Sequence, residues 1–182
     1  MASTQKKVII RCFNGALFSG YLPTGAFVRL QGGSFMLDLL DLGGRVVPVA
    51  RDEVKMISYV RDFNLNDTTN PERLSRRTFL ARPRTEGLWI RMTFRGGDLL
   101  EGLAATDLSL LAGVLEDGGL FLTPPDIRSN TQRIFVPRSA LIELQLIAVI
   151  TSPSRKKPLP ATEAPSLQET LFSTLPASLR PN

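Results

Sequence analysis

The sequence predicts an all-β protein made of two tandem small β-barrel units. Three observations lead to this prediction. Short apolar segments alternate with turn residues every ~8–12 residues, no long helical periodicity competes with them, and two stretches of the chain resemble each other. We expect the first unit at residues 1–63, a linker at 64–86, the second unit at 87–150 and a disordered tail at 151–182.

Each unit begins with a predicted β-hairpin. Asn14 and Gly15 separate two apolar segments in the first unit, and Gly96 and Gly97 do so in the second. Asn-Gly and Gly-Gly are dipeptides that tolerate the positive φ angles of tight primed turns. The two segments around each turn are therefore expected to pair as antiparallel strands.

The two units also end alike. Residues 49–57 and 136–144 each contain an apolar strand, an arginine at a polar turn and a second apolar strand. The arginines are Arg51 and Arg138. A unit of about 60 residues buries little surface alone. We therefore expect the units to pack side by side and their edge strands to be available for pairing between chains.

The composition argues against an enzyme. The 182 residues include no histidine and one cysteine, Cys12. Histidine is the commonest general base near neutral pH and the commonest metal ligand, so Ser-His-Asp catalysis, Cys-His catalysis and most zinc sites are excluded. Much of the net charge of +5 lies in the connecting segments. Carboxylate-pair hydrolysis and a magnesium site held by Asp and Glu are the alternatives left open, but the acidic residues are scattered along the chain. We expect a non-catalytic protein that uses no cofactor.

The chain is also expected to be cytoplasmic. No segment approaches the ~20 consecutive apolar residues that a membrane span requires. Residues 1–7 are short and polar, without the apolar core of a secretory signal.

The strand order, the Asn-Gly turn and the ending Val-x-Arg-x-x-Val-x-x-Ile resemble an Sm-like small barrel, over residues 7–63 and 87–147. This resemblance implies single-stranded RNA as a ligand, with Arg51 and Arg138 as contacts. A role as turn residues or in salt bridges is the alternative. The second copy also resembles an uncharacterised bacterial domain family that occurs with signalling domains, including PilZ domains. The segments that carry this second resemblance are 119–126, 129–130 and 133–136, and 52–63 in the first copy.

A second ligand hypothesis concerns cyclic di-GMP. Arg73 and Arg77 have the Arg-x-x-x-Arg spacing with which PilZ domains bind this nucleotide, and Asp107 and Ser109 approximate the later Asp-x-Ser-x-x-Gly strand. Guanidinium groups can stack on guanine and donate to phosphate oxygens. The alternative is a plain connector at 64–86, with Asn70 and Pro71 starting one or two helical turns.

Two further segments are candidate contact surfaces. The loop from residue 124 to 133 is too long for a tight hairpin turn and displays Asp126, Arg128, Asn130 and Arg133. Such loops often carry function, although a solvated loop is the alternative. In the tail, a possible docking helix at 166–175 has Leu167, Leu171, Phe172 and Leu175 on one face, with an inert linker end as the alternative.

These observations predict a non-catalytic protein-interaction or regulatory binding module. We expect a protein partner, with self-association as a further option. A PilZ-like cyclic di-GMP receptor and an RNA-binding Sm-like protein are the two alternatives.

Overall fold

The computed structural model describes eleven β-strands, two short 3-10 helical turns and no α-helix within residues 5–23, 28–31, 34–67, 71–72, 76–106, 118–126 and 128–151. The prediction of an all-β protein is therefore confirmed. The strands are β1 (Gln5–Cys12), β2 (Leu17–Pro23), β3 (Val28–Gln31), β4 (Ser34–Asp41), β5 (Val46–Ala50), β6 (Val54–Val60), β7 (Gly87–Phe94), β8 (Leu99–Ala104), β9 (Leu120–Leu122), β10 (Thr131–Val136) and β11 (Leu141–Ile150).

Both predicted hairpins are present. β1 pairs antiparallel with β2, and β7 pairs antiparallel with β8. Gly15 and Gly97 have φ angles of 86° and 81° in the two turns, a conformation that glycine adopts without steric cost. The backbone N–H of Gly15 donates to the carbonyl of Cys12 at 3.2 Å, and that of Gly97 donates to the carbonyl of Phe94 at 2.8 Å.

The two halves of the chain repeat one pattern of strand neighbours. In the first half the order is β5-β4-β2-β1-β6, and β3 is an additional strand on β4. In the second half the order is β10-β9-β8-β7-β11, where β8 meets β9 at one bridge between Leu103 and Thr123. A 3-10 turn, at Arg51–Glu53 or Arg138–Ala140, precedes the last strand of each half.

The halves are joined by antiparallel pairing of β6 with β10, in which Ile57 lies opposite Phe135 and Ser58 opposite Ile134. Among the described residues neither sheet closes, so the two expected closed barrels are not seen. The physical reason lies in the last strand of each half. β6 pairs with β10 instead of with β5, and β11 pairs with β7 only within the part of the chain that the structure describes.

Each half has its own apolar core. In the first half the core lies under β1, β4 and β6, where Val8, Ile10 and Ile57 are fully buried. In the second it lies between β7, β8 and β10, with Met92 fully buried and Phe94 2% exposed. Along β7 the core side chains alternate with exposed or half-buried ones, as expected of a sheet that covers a core with one face. β1 is instead buried on both faces, because Ile9, between Val8 and Ile10, packs with Val60 and Phe63.

The linker does not contain the expected helix where the structure describes it, at residues 64–67, 71–72 and 76–86. Residues 73–75, at the centre of the predicted helix, lie outside the described residues. From Arg77 onward the linker is held by tertiary contacts. The carbonyl of Arg77 accepts a hydrogen bond from the backbone N–H of Glu101 at 2.6 Å, and the backbone N–H of Phe79 donates to Glu101 Oε2 at 3.0 Å. Asn70, where the helix was expected to begin, is outside the described residues.

No helix in the described part of the chain is long and apolar enough to span a membrane.

Candidate functional site

A cleft of about 240 Å³ lies beside the strands that join the two halves. Its walls carry four cationic side chains, from β1, β6 and the linker: Arg11, Lys55, Arg76 and Arg77. We call this site the basic cleft. The other lining residues are Met56, Ser58, Glu72, Phe94, Leu99, Leu100, Thr131 and Ile134.

Strand register places several of these residues on one face of the larger sheet. Arg11 lies opposite Met56 in the β1–β6 ladder, and Ser58 lies opposite Ile134 in the β6–β10 ladder. Met56 and Ser58 are two residues apart, so their side chains point to the same face. The cleft therefore depends on both ladders, including the one that joins the halves.

Two carboxylates partly neutralise the cleft. Arg11 Nη2 donates to both oxygens of Glu72, at 3.1 and 2.9 Å, and Glu72 is only 1% exposed. Lys55 Nζ and Arg77 Nη1 both contact Asp98 Oδ2, the latter at 3.1 Å. The hydrogen bond from Lys55, with a further one from Arg77, lowers the pKa of Asp98 although partial burial opposes the shift. Asp98 is accordingly an acceptor at neutral pH.

The floor of the cleft includes two buried hydroxyl residues. Ser58 and Thr131 are each 2% exposed. The Oγ1 atom of Thr131 has no hydrogen-bond partner among the described residues. An unsatisfied buried polar group costs about 1–3 kcal/mol, so such an atom is often found where a ligand or a water binds.

A buried carboxylate next to the cleft has a structural role. Glu101 is 2% exposed. Its Oε2 accepts from the backbone of Phe79 and from Trp89 Nε1, and its Oε1 accepts from Arg91 Nε and Nη2, all between 2.8 and 3.1 Å. Burial alone would raise the pKa of Glu101, but the hydrogen bonds from Phe79, Arg91 and Trp89 lower it below its ordinary value. The carboxylate holds the linker against the second half.

Of the four residues of the cyclic di-GMP hypothesis, only Arg77 can be placed. It lies in the basic cleft. Arg73, Asp107 and Ser109 lie outside the described residues. Arg11, Lys55 and Thr131 were not proposed from the sequence, because they come from distant segments that carry no shared motif. Arg76, next to Arg77, was not proposed because it does not fit the Arg-x-x-x-Arg spacing.

The candidate loop has a clear structural function. Its backbone turns at Asp126, whose Oδ1 accepts from the N–H of Arg128 at 2.9 Å. Asn130 Nδ2 donates to the carbonyls of Asp62 and Pro71, at 2.6 and 3.3 Å, and thereby ties the loop to the end of the first half. The remaining candidate, Arg133, lies in β10 with its guanidinium 4.2 Å from the ring centroid of Phe121.

The two turn arginines lie in the 3-10 turns that precede β6 and β11. Arg51 Nη2 donates to the carbonyl of Gly118 at 3.0 Å, a contact between the two halves. Arg138 is exposed. RNA contact by these arginines stays a prediction, as does the docking segment with Leu167, Leu171, Phe172 and Leu175, which lies outside the described residues.

A second candidate site consists of two open sheet edges. β11 follows the last turn and pairs only with β7 among the described residues, while β5 pairs only with β4. Three apolar side chains at alternate positions of β11 are exposed: Ile142 by 68%, Leu144 by 44% and Leu146 by 53%. On β5, Val46 is 61% exposed.

Register shows why the exposure of β11 is unusual. Leu144 lies opposite Met92 and Leu146 lies opposite Ile90 in the β11–β7 ladder. Directly opposed residues share a face of an antiparallel sheet. Met92 and Ile90 are buried in the core of the second half. The core face therefore continues onto β11, where it is left uncovered by described residues.

The described residues contain no group of three or more Cys, Asp or Glu side chains arranged to hold a metal ion. The thiol of the one cysteine is not activated as a nucleophile. Cys12 is 2% exposed in the first core, and burial, together with the charge of Glu53, raises the pKa of its thiol.

The fold and these sites define an all-β protein with a basic cleft and two open sheet edges. The chain belongs to a family of unknown function (DUF6982), whose model matches residues 4–148. The match covers β1 to β10 and all but the last two residues of β11. No curated protein and no solved structure matches the chain.

Proposed function

We propose that this protein is a non-catalytic protein-interaction module that associates by strand addition, with β5 of one copy pairing with β11 of the next. The observation that carries this proposal is the uncovered core face of β11, where Leu144 and Leu146 are 44% and 53% exposed. Exposed edges are natural sites for strand addition, because unpaired backbone groups supply hydrogen bonds and alternate side chains supply specificity.

The repeated strand order supports a finer interpretation, in which each half is an Sm-like unit. Leaving aside the additional strand β3 of the first half, both halves have five strands in one order of neighbours, with a 3-10 turn between the fourth and the last. In this interpretation, β6 is the last strand of the first unit, and β10 is the fourth strand of the second unit. Their pairing is then an interface between units that happens to lie within one chain.

The β6–β10 contact supplies a template for pairing between chains. Ile57 of β6 is fully buried and lies opposite Phe135 of β10, which packs against the first core. Aligning the two turn arginines makes Leu144 of β11 the equivalent of Ile57. The same alignment makes Pro48 of β5 the equivalent of Phe135. Leu144 therefore lacks the neighbouring strand that covers Ile57.

The two open edges are chemically suited to each other. Val46 and Pro48 are exposed at alternate positions of β5, opposite Leu40 and Asp38 in the β4–β5 ladder. In the proposed pairing these two apolar side chains cover Leu144 and its neighbour on β11. Pro48 removes one backbone donor from the edge, which is tolerated on edge strands. Pairing of β5 with β11 must consequently depend more on apolar contact than pairing of β6 with β10 does.

Light scattering after size-exclusion chromatography tests the proposal. The wild-type chain of 20.0 kDa should form assemblies whose mass rises with concentration. The double variant Leu144→Lys, Leu146→Lys should be a monomer, because charges on the exposed edge oppose pairing. Leu80→Lys is the matched control, since Leu80 is 79% exposed and outside both sheets. A wild-type chain that stays monomeric at all concentrations would contradict the proposal.

A mixing experiment tests the direction of pairing. The double variant retains an intact β5 edge, and Val46→Lys retains an intact β11 edge. A head-to-tail interface predicts that each variant alone is a monomer and that the mixture forms a 1:1 dimer. If β11 instead paired with β11, Val46→Lys alone would associate like the wild type. That outcome would reject β5 as the partner strand.

Cyclic di-GMP is a second candidate, supported by the position of Arg77 in the basic cleft, which would receive one phosphoryl group of the nucleotide. Calorimetry should then detect binding by the wild-type chain and its loss in Arg73→Ala and Arg77→Ala. Binding that is unchanged in both variants would reject the PilZ-like site.

A further inference from the structure

The basic cleft carries more positive charge than its internal ion pairs neutralise. Four cations line it, and two carboxylates, Glu72 and Asp98, pair with three of them. Arg76 is exposed and makes no ion pair with a described residue. We propose that the basic cleft is a binding site for a phosphate-type oxyanion, either the free ion or the phosphoryl group of a small molecule. This proposal is independent of strand addition.

The donors of the cleft suit a tetrahedral oxyanion. A guanidinium group has five N–H donors in a planar fork that matches phosphate oxygens. Arg11 uses only its Nη2 atom for Glu72, so its other donors are without a partner among the described residues. Arg11 is held in place by that buried carboxylate, which reduces the loss of side-chain entropy when a ligand binds. The linker adds the guanidinium of Arg76 at the mouth of the cleft.

The neutral wall supplies a second, independent observation. Thr131 Oγ1 is buried without a hydrogen-bond partner among the described residues, and Thr131 lines the cleft. An oxyanion offers this hydroxyl an acceptor. Hydroxyl and guanidinium donors on one ligand are the combination that commonly binds phosphate groups. A purely structural ion-pair network would not require an unsatisfied hydroxyl in the same cleft.

Size and polarity define the class of ligand. The volume of about 240 Å³ is below the ~300–1,000 Å³ of pockets for drug-sized molecules. It accommodates one phosphoryl group with a few waters, which each occupy about 30 Å³. Met56, Phe94 and Leu100 also line the cleft, and the ring centroid of Phe94 lies 5.3 Å from Lys55 Nζ. Their low polarity strengthens the attraction between the cations and an anion, because less water screens it.

Titration calorimetry at constant ionic strength, with chloride as the balancing ion, tests the proposal with inorganic phosphate. We expect saturable binding by the full chain. Arg76→Ala should weaken it about tenfold or more, as expected for a lost charge-assisted contact, and Thr131→Val should weaken it about two- to tenfold. The valine variant keeps the side-chain shape and removes only the hydroxyl. Arg82→Ala is the matched control, because Arg82 is an exposed linker arginine that does not line the cleft.

Two further measurements complete the test. Amide chemical shifts of Ser58 and Thr131 should move on addition of phosphate, which locates the site. A phosphomonoester and pyrophosphate, titrated in parallel, distinguish a free-ion site from one that accepts a substituted phosphoryl group. Absence of saturable binding by all three ligands, or an equal loss in Arg76→Ala and Arg82→Ala, would overturn the proposal.

Discussion

Replacing Glu101 with Gln tests whether this buried carboxylate holds the linker against the second half. The side chain accepts four hydrogen bonds, two on each oxygen, from Phe79, Trp89 and Arg91. A glutamine at this position has one oxygen and one NH₂ group. Whichever way the amide turns, the NH₂ group faces two donors, so two hydrogen bonds to a charged acceptor are lost.

The structure indicates how large the effect should be. A hydrogen bond to a charged group contributes about 1.5–3 kcal/mol. Arg91 has a side chain that is 45% exposed, so water can replace part of what it loses. The amide oxygen should therefore turn to Phe79 and Trp89, and the loss should be about 2–3 kcal/mol in the free energy of unfolding. For a chain of this size that corresponds to a fall of roughly 4–12 °C in Tm.

Urea unfolding at neutral pH and fixed protein concentration measures the difference. The fluorescence of Trp89 is a direct probe, because Trp89 is the single tryptophan and donates to the carboxylate. Glu53→Gln is the control, since Glu53 is exposed and should change stability by no more than ~0.5 kcal/mol. If both variants unfold at the same urea concentration, Glu101 does not stabilise the fold in the way that its contacts imply.

Three other predictions concern pH, backbone geometry and the thiol. The pKa of Glu101 is lower in the folded chain than in the unfolded chain. The ionised carboxylate therefore contributes fully to the free energy of unfolding above the unfolded-state pKa of about 4.3, and this contribution is lost as the pH falls through the folded-state pKa. The stability gap between the wild type and Glu101→Gln should therefore narrow below about pH 4, and a constant gap would contradict this assignment. Gly119→Ala should destabilise by about 2 kcal/mol or more, because Gly119 has φ 133° and an added Cβ would lie 2.4 Å from the carbonyl oxygen of Val136. Gly97→Ala should cost only about 1–2 kcal/mol when both variants are unfolded in urea, because its Cβ would meet open space. The buried thiol of Cys12 should react with a disulfide reagent only on unfolding, whereas rapid reaction of the folded chain would be inconsistent with its burial.

The sequence identified only part of the set of residues that line the basic cleft. Arg77 was proposed from a local spacing, and it does line the cleft. Arg11, Lys55 and Thr131 were missed, because each is an ordinary strand residue in its local context. Their proximity depends on the β1–β6 and β6–β10 ladders, in which partners are far apart in the sequence.

The linker shows what a local signal leaves open. A cap residue followed by Pro71 is a local signal for a helix, and the described part of the linker has none, although residues 73–75 lie outside it. Beyond these residues the linker is held by Glu101, which binds the backbone of Phe79 from 22 residues away. A contact between residues so far apart leaves no local signal in the sequence.

The sequence by itself determined the all-β character, the two hairpins and their glycine turns, because strand alternation and turn geometry depend on neighbours in the chain. Only the tertiary structure decided which edges meet. Pairing of β6 with β10 left the sheets open and formed the basic cleft, and it left β11 without the cover that β6 has. Backbone donors and acceptors differ little from strand to strand, so the choice of partner depends mainly on how distant side chains fit together.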